Sequence, residues 1–213
     1  MNRVVLFLGL LQFYAVPVWG APSALIQIPT ADVLATGHTC IDVAGALSTE
    51  SGSQLSDWAF ESGFGIPGSV ELGFDTPLNT LRDGAFFVKK GLGVRGDLAA
   101  AVGVNGLDFR GTARNPYAVL SSETAPFRMH LGSDYAESEW RAMLGFDYLT
   151  SERLTLMADC IGGDNGGSSF GFNLAFGPDH MWGLMAGVIH ENSSDDNLLY
   201  VNLGCTFRWR MAQ

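Results

Sequence analysis

A histidine, a serine and an acid are what a hydrolase assembles into a nucleophile, and His130, Ser133 and Asp134 lie close together in this chain. Such a serine attacks only when a base takes its proton and a polar group orients the base. A second cluster, His190, Glu191, Asn192, Ser193 and Ser194, offers the same side-chain types. Neither carries a nucleophile motif, so both histidines are read as rim or lumen groups, and the chain is not expected to be an enzyme. Residues 162–169 are rich in Gly and Ser, as phosphate loops are, but lack the Lys and the following helix that phosphate binding requires. Asp159 and Asp164, with Asp195 and Asp196, supply carboxylates of the kind that hold Ca²⁺. Acidic loops in solvent are the plainer reading, and no metal or cofactor is expected.

Cys40, Cys160 and Cys205 form no metal-ligand cluster and cannot all pair within one chain. Cys40 falls in the first candidate strand and Cys205 in the last, so the two become neighbours if the strands close into a ring. A disulfide is geometrically open there; small hydrophobic fillers are the plainer reading.

The elements that would position these groups are read from the hydropathy pattern. From Leu199 to Met211 apolar residues at odd positions alternate with Tyr, Asn, Gly, Thr and Arg at even ones. A period of two means an extended strand with one apolar and one polar face. The same pattern recurs in twelve segments: His38 to Leu47, Gln54 to Phe64, Ser69 to Asp75, Ala85 to Leu92, Leu98 to Leu107, Pro116 to Ser121, Phe127 to Ser133, Trp140 to Tyr148, Leu154 to Gly162, Ser168 to Phe176, Met181 to His190, and Leu199 to Met211. The fourth alternates badly and is expected to carry a bulge. Gly-, Asn- and Asp-rich turns separate them, giving about 15 residues for each strand and its turn, which suits an antiparallel meander and leaves no room for crossover helices.

Composition points the same way. Only 16% of residues are charged, less than a water-facing surface usually carries. The long apolar run from Val4 to Val18 follows Arg3 and leads to Gly20, Ala21 and Pro22, the pattern of a secretory signal peptide over residues 1–21. Residues 22–37, interrupted by Pro29 and Gly37, read as a periplasmic entry segment, and 38–213 as the barrel. The formal net charge of −10 disfavours nucleic acid as a partner, because such binding needs basic patches.

These observations predict an all-β protein: a closed, antiparallel, up-and-down transmembrane β-barrel of about 12 strands, 10 to 12 in range. Apolar side chains would face membrane lipids. The small and charged ones would share the lumen, with Glu71, Arg128, His130, Arg141, Asp147, Asp159, Asn173, Asn202, Arg208 and Arg210 as its lining. Trp58, Trp140, Tyr148, Trp182 and Trp209 lie near strand ends, where aromatic residues anchor barrels at the lipid–water boundary. Met143, Met157, Met185 and Ile189 fall on the polar face and keep open a soluble barrel with an apolar interior.

Laid out in this way, the chain resembles Gram-negative outer-membrane β-barrel proteins. More narrowly, Ile28-Pro29-Thr30-Ala31-Asp32-Val33-Leu34 before Gly37, and Ala158-Asp159-Cys160-Ile161-Gly162-Gly163-Asp164-Asn165-Gly166, look like segments of a poorly characterised family of exported bacterial barrels. The chain departs from the usual terminal aromatic residue, ending Trp209-Arg210-Met211-Ala212-Gln213. The resemblance implies an outer-membrane location and no catalytic residues. The functional expectation is a narrow porin for small solutes. A structural or interaction barrel of the cell envelope, and a soluble exported carrier of an apolar ligand, are the alternatives.

Overall fold

In a computed structural model the chain is described over residues 24–48, 58–78, 84–108, 115–122, 124–136, 138–164, 166–193 and 197–208. Twelve strands follow one another: β1 (His38–Ser48), β2 (Trp58–Ile66), β3 (Val70–Pro77), β4 (Ala85–Arg95), β5 (Leu98–Asp108), β6 (Asn115–Ser122), β7 (Phe127–Ala136), β8 (Glu139–Leu149), β9 (Leu154–Ile161), β10 (Gly167–Phe176), β11 (Trp182–Glu191) and β12 (Asn197–Arg208). Each pairs antiparallel with its sequence neighbours, and β1 closes the ring against β12, His38 opposite Arg208 and Ser48 opposite Leu198. Closure leaves every strand with two partners, so no edge remains with unpaired backbone groups.

The period-two pattern fixes which side chain faces where. On β1, Ile41 and Val43 are exposed while Cys40, Asp42 and Ala44 are buried. On β10, Phe170 and Leu174 face out, Phe170 at 65% exposure, and Ser169 and Ala175 face in. Leu72, Phe86, Leu98, Leu120, Met129, Leu131, Leu156, Val188, Leu199 and Leu203 extend the outer face around the ring. That is an apolar belt of a kind water-soluble monomers do not display. Cys40 and Cys205 lie on adjacent strands but on opposite faces, since Cys40 stands opposite Thr206 and Ile41 opposite Cys205, and both are free thiols.

The irregular fourth segment does bulge. The register between β4 and β5 shifts between Phe86 and Val88 and again between Gly91 and Gly93. Gly93 at φ +108° and Gly106 at φ +68° take the left-handed backbone that these extra residues require. The barrel therefore keeps its inward and outward faces on both sides of each shift.

The two ends of the ring differ. At one end, where β1 begins and β12 finishes, the connections are short, such as residues 96–97 between β4 and β5 and 150–153 between β8 and β9. This is the terminal end. The other carries mostly longer connections, such as 49–57, 109–114 and 192–196, and is the loop end.

Residues 24–37 lie within the ring. Leu25, Ile26, Ile28, Ala31 and Leu34 are buried. The first four form one cluster with Ala99, Ala101, Tyr117, Val119, Met143, Met157 and Met185, against which Ile161, Ile189 and Tyr200 also pack. This explains the methionines on the polar face. They cover an apolar strap threaded through the lumen, so a soluble barrel is not needed to account for them. Local pattern could not show this, because the apolar residues of 24–37 are satisfied only by side chains far along the chain.

Candidate functional site

The strap enters from the terminal end, where Gly37 N–H donates to Gly65 O at 2.9 Å just before β1. Pro29 and the following residues keep it out of regular structure, and a tight reversal closes at its far end, Leu25 N–H donating to Ile28 O at 2.9 Å. Glycines of the wall make the space. A Cβ at Gly145 would meet Leu25 and Ile28, one at Gly171 or Gly187 would meet Ile26, and one at Gly65 would meet the backbone of Leu34 and Ala35.

A strap with no strand partner must still satisfy its backbone donors. Three inward side chains do so: Gln27 N–H donates to Asp159 Oδ2 at 2.8 Å, Ala31 N–H to Ser121 Oγ at 2.8 Å, and Leu34 N–H to Glu71 Oε2 at 2.9 Å. Lys89 Nζ donates to the Asp32 carbonyl at 3.0 Å. Each such bond contributes about 1 kcal/mol net, and one to a charged group about 1.5–3 kcal/mol. Asp159 is fixed in turn by Ser169 Oγ and by the Gln27 amide.

One set of contacts leaves the strap and returns to it. The Asp32 carboxylate accepts from Arg128 at 2.8 and 2.9 Å, and Arg128 lies 3.7 Å from Asp147. Asp147 Oδ2 accepts from His130 Nε2 at 2.9 Å, and Ser121 Oγ is 2.7 Å from His130 Nδ1. Ser121 finally accepts the Ala31 N–H. The tautomer with its hydrogen on Nε2 satisfies the whole series, His130 donating to Asp147 and accepting from Ser121.

Serine, histidine and aspartate thus do meet, though not the serine and acid that lie nearest in sequence. Ser133 stands on the outward phase of β7, opposite Ala142, and Asp134 is held by Arg141 at 3.0 and 2.5 Å. Ser121 and Asp147 come from the neighbouring strands β6 and β8, one on each side of His130. Nor does the trio form an attacking serine. Ser121 and His130 are fully buried, and the strap's Ala31 N–H caps the Oγ where a substrate carbonyl would have to approach. It is a tether.

Of the side chains expected to line the lumen, Glu71, His130, Asp147, Asp159 and Asn202 are buried inside, and Arg128, Arg141 and Asn173 share the inward face of their strands. Glu71, Arg128 and Asp159 hold the strap directly, Asp147 and His130 through their neighbours. Arg208 ends β12 and is exposed at the rim, while Arg210 and Trp209 fall outside the described residues. Trp58 and Trp140 sit at the loop end and Tyr148 and Trp182 at the terminal end; Trp140 is 69% exposed. Lys89, Ser121 and the strap itself were missed. Only the Met-bearing polar faces pointed to something apolar inside. Among the described residues no group of three His, Cys, Asp or Glu side chains is placed to hold a metal ion.

A closed, 12-stranded, antiparallel up-and-down barrel, apolar outside and occupied by its own chain inside, is the class of protein that fold and site define. No protein-family model matches the sequence, and no curated protein does. Among solved structures the chain is similar to "KdgM porin", with TM-score 0.55 and 10% identity over 80% of this chain and 99% of that one. It is also similar to "KdgM porin in complex with disordered oligogalacturonate", with TM-score 0.56 and 10% identity over 81% and 99%. At this identity the likeness is one of fold.

Proposed function

We propose that this protein is an outer-membrane β-barrel that gives small solutes a narrow passage, restricted by the strap seated in its lumen. The observation that carries the reading is the strap of residues 24–37 held by inward side chains within a ring whose outer face is apolar. An exposed belt of Phe, Leu and Val side chains belongs in lipid, and aromatic residues near both rims suit the two lipid–water boundaries. The porin fold supports the same location. Cleavage of residues 1–21 on export would leave a short leader before the strap, and the short connections of the terminal end suit the periplasmic side. The residues behind the narrower family resemblance, Ile28 to Leu34, belong to the strap, so a shared way of closing the lumen is what that kinship would mean.

Oligogalacturonate, named for one KdgM structure, is a polyanion. The lumen here carries Asp42, Glu61, Glu71, Asp75, Asp134, Asp147 and Asp159 against Lys89, Arg128 and Arg141, so a polyanion is a poor fit. A second reading, an envelope interaction barrel without transport, is favoured by how fully the strap covers the β6–β11 wall. Conductance of the purified protein in planar bilayers separates them. Small openings that widen when Asp32→Ala and Ser121→Ala loosen the strap support the passage. Silence in both the native protein and the loosened variant supports the interaction barrel.

A further inference from the structure

The contacts that seat the strap are of two kinds. Asp159, Glu71 and Arg128 hold it through charged groups, whereas the Ala31 N–H rests on the neutral hydroxyl of Ser121. Among the described residues that hydroxyl has two hydrogen-bond partners, the Ala31 amide and His130 Nδ1. Ser121 and His130 are both without exposure, so neither can replace a lost partner with bulk water while the strap is in place. With the imidazole neutral and its hydrogen on Nε2, every donor of the series has an acceptor. Ala31 N–H donates to Ser121 Oγ, Ser121 O–H to His130 Nδ1, and His130 Nε2–H to Asp147 Oδ2.

A second proton on the ring reverses the middle link. Nδ1 then carries a hydrogen, and its 2.7 Å contact with Ser121 survives only if Oγ accepts. Oγ would receive both the ring and the Ala31 amide, and its own hydrogen would lose its acceptor in a site closed to water. A donor stranded in this way is costly. It regains a partner, water, once the strap withdraws. The charge itself is accommodated by the groups that face the ring. From β8 Asp147 faces it, from β6 the Ser121 hydroxyl, and Arg128 stands beside it on β7, 3.7 Å from Asp147 and paired with the strap's Asp32. Lys89 of β4 reaches the strap at the Asp32 carbonyl. Arg128 and Asp32 offset each other and Asp147 answers the imidazolium, so the hydrogen-bond pattern decides the outcome.

We propose that His130 makes the seating of the strap depend on pH, the strap being held while the ring is neutral and released when the ring takes up a proton. Histidine is the side chain whose charge ordinarily changes between about pH 5 and 8. The inference rests on the passage reading only for its consequence, a wider passage in acid; movement of the strap requires no conduction. His38 also touches the strap, its Nδ1–H donating to the Ala35 carbonyl at 3.2 Å. A second proton on His38 leaves that hydrogen where it is, so the Ala35 contact persists in both states. His180 lies in the turn before β11 and His190 on the outward phase of β11, away from the strap.

The test is hydrogen exchange of the full-length barrel in detergent at about pH 8 and about pH 5.5, read by mass spectrometry as protection relative to the unstructured rate at each pH. Protection around Ala31 is expected to fall roughly tenfold in acid, as for the loss of one buried hydrogen bond, while strand amides keep theirs. His130→Asn puts an amide oxygen near the position of Nδ1 and cannot take up the proton, so it should hold the strap equally at both pH values. It keeps His38 and every carboxylate, so any acid loss it retains belongs to them. Ser121→Ala removes the middle link and should show reduced protection at the higher pH with no further loss in acid. Protection around Ala31 that is unchanged or greater in acid, or an acid loss that persists in His130→Asn or in Ser121→Ala, overturns the proposal. Strap amides that respond to pH in a barrel that never conducts would refute the passage alone, and steady conductance with strap amides indifferent to pH would refute this inference alone.

Discussion

Ile28 is the largest apolar side chain of the strap with no exposure, resting in the space above Gly145 beside Leu25. Replacing it with Ala removes methyl and methylene groups from a position where the barrel wall, closed by hydrogen bonds on both sides of every strand, cannot collapse to fill the gap. Substitutions of this kind cost about 2–5 kcal/mol. The loss falls on the seating of the strap rather than on the ring, because Ile28 contributes nothing to strand pairing. Each 1.4 kcal/mol is a factor of ten, so the unseated population should rise roughly thirtyfold to a few thousandfold. The amides of Gln27, Ala31 and Leu34 report this directly, since each donates to a side chain of the wall and exchanges with solvent only when the strap leaves it. Hydrogen exchange followed by mass spectrometry on the detergent-solubilised protein should show those amides accelerating together while strand amides stay protected. Ile41→Ala, on the outer face, is the control and should change neither. Unchanged exchange at residues 27, 31 and 34 in an otherwise folded Ile28→Ala barrel would refute the idea that apolar burial seats the strap.

Gly145→Val places a branched side chain where Leu25 and Ile28 sit, so it should expel the strap, expose it to protease and widen any bilayer conductance while the ring stays folded. Arg141→Ala leaves the Asp134 carboxylate, 13% exposed, without its partner, and removal of one member of a buried pair should cost about 3–5 kcal/mol in denaturant unfolding. The double variant Arg141→Leu with Asp134→Leu should recover much of that loss. Phe170→Arg, on the outer face, should lower folding efficiency into lipid vesicles by an amount equivalent to about 2–4 kcal/mol near the bilayer midplane. If folding into vesicles is indifferent to Phe170→Arg, the apolar belt does not face lipid.

Much of the ring is legible in the amino-acid sequence. Period-two alternation in β8 through β12 is unbroken, β8 to β11 match the sequence reading to within one residue, and β12 begins two residues earlier than read. The irregularity of Phe86 to Lys90 announced a bulge, and β4 and β5 carry two register shifts. His130, read as a rim or lumen group, is buried inside, but the partners it finds there were not legible. Its sequence neighbours Ser133 and Asp134 are nearer in number than Ser121 and Asp147, but a strand sends Ser133 to the other face, and Arg141 takes Asp134. A histidine in a sheet finds its partners across strands, so sequence proximity was the wrong measure.

The residues alone determined the strand pattern and the apolar outer face, because alternation is local: each side chain's face follows from its neighbour's. Sequence could not place residues 24–37. Their donors are satisfied 37, 90 and 132 positions away, at Glu71, Ser121 and Asp159. Only ring closure brings those side chains around a single axis. A short apolar stretch broken by proline has no period that names its partner, and it was the enclosed wall, with its glycines and methionines, that decided it lies within.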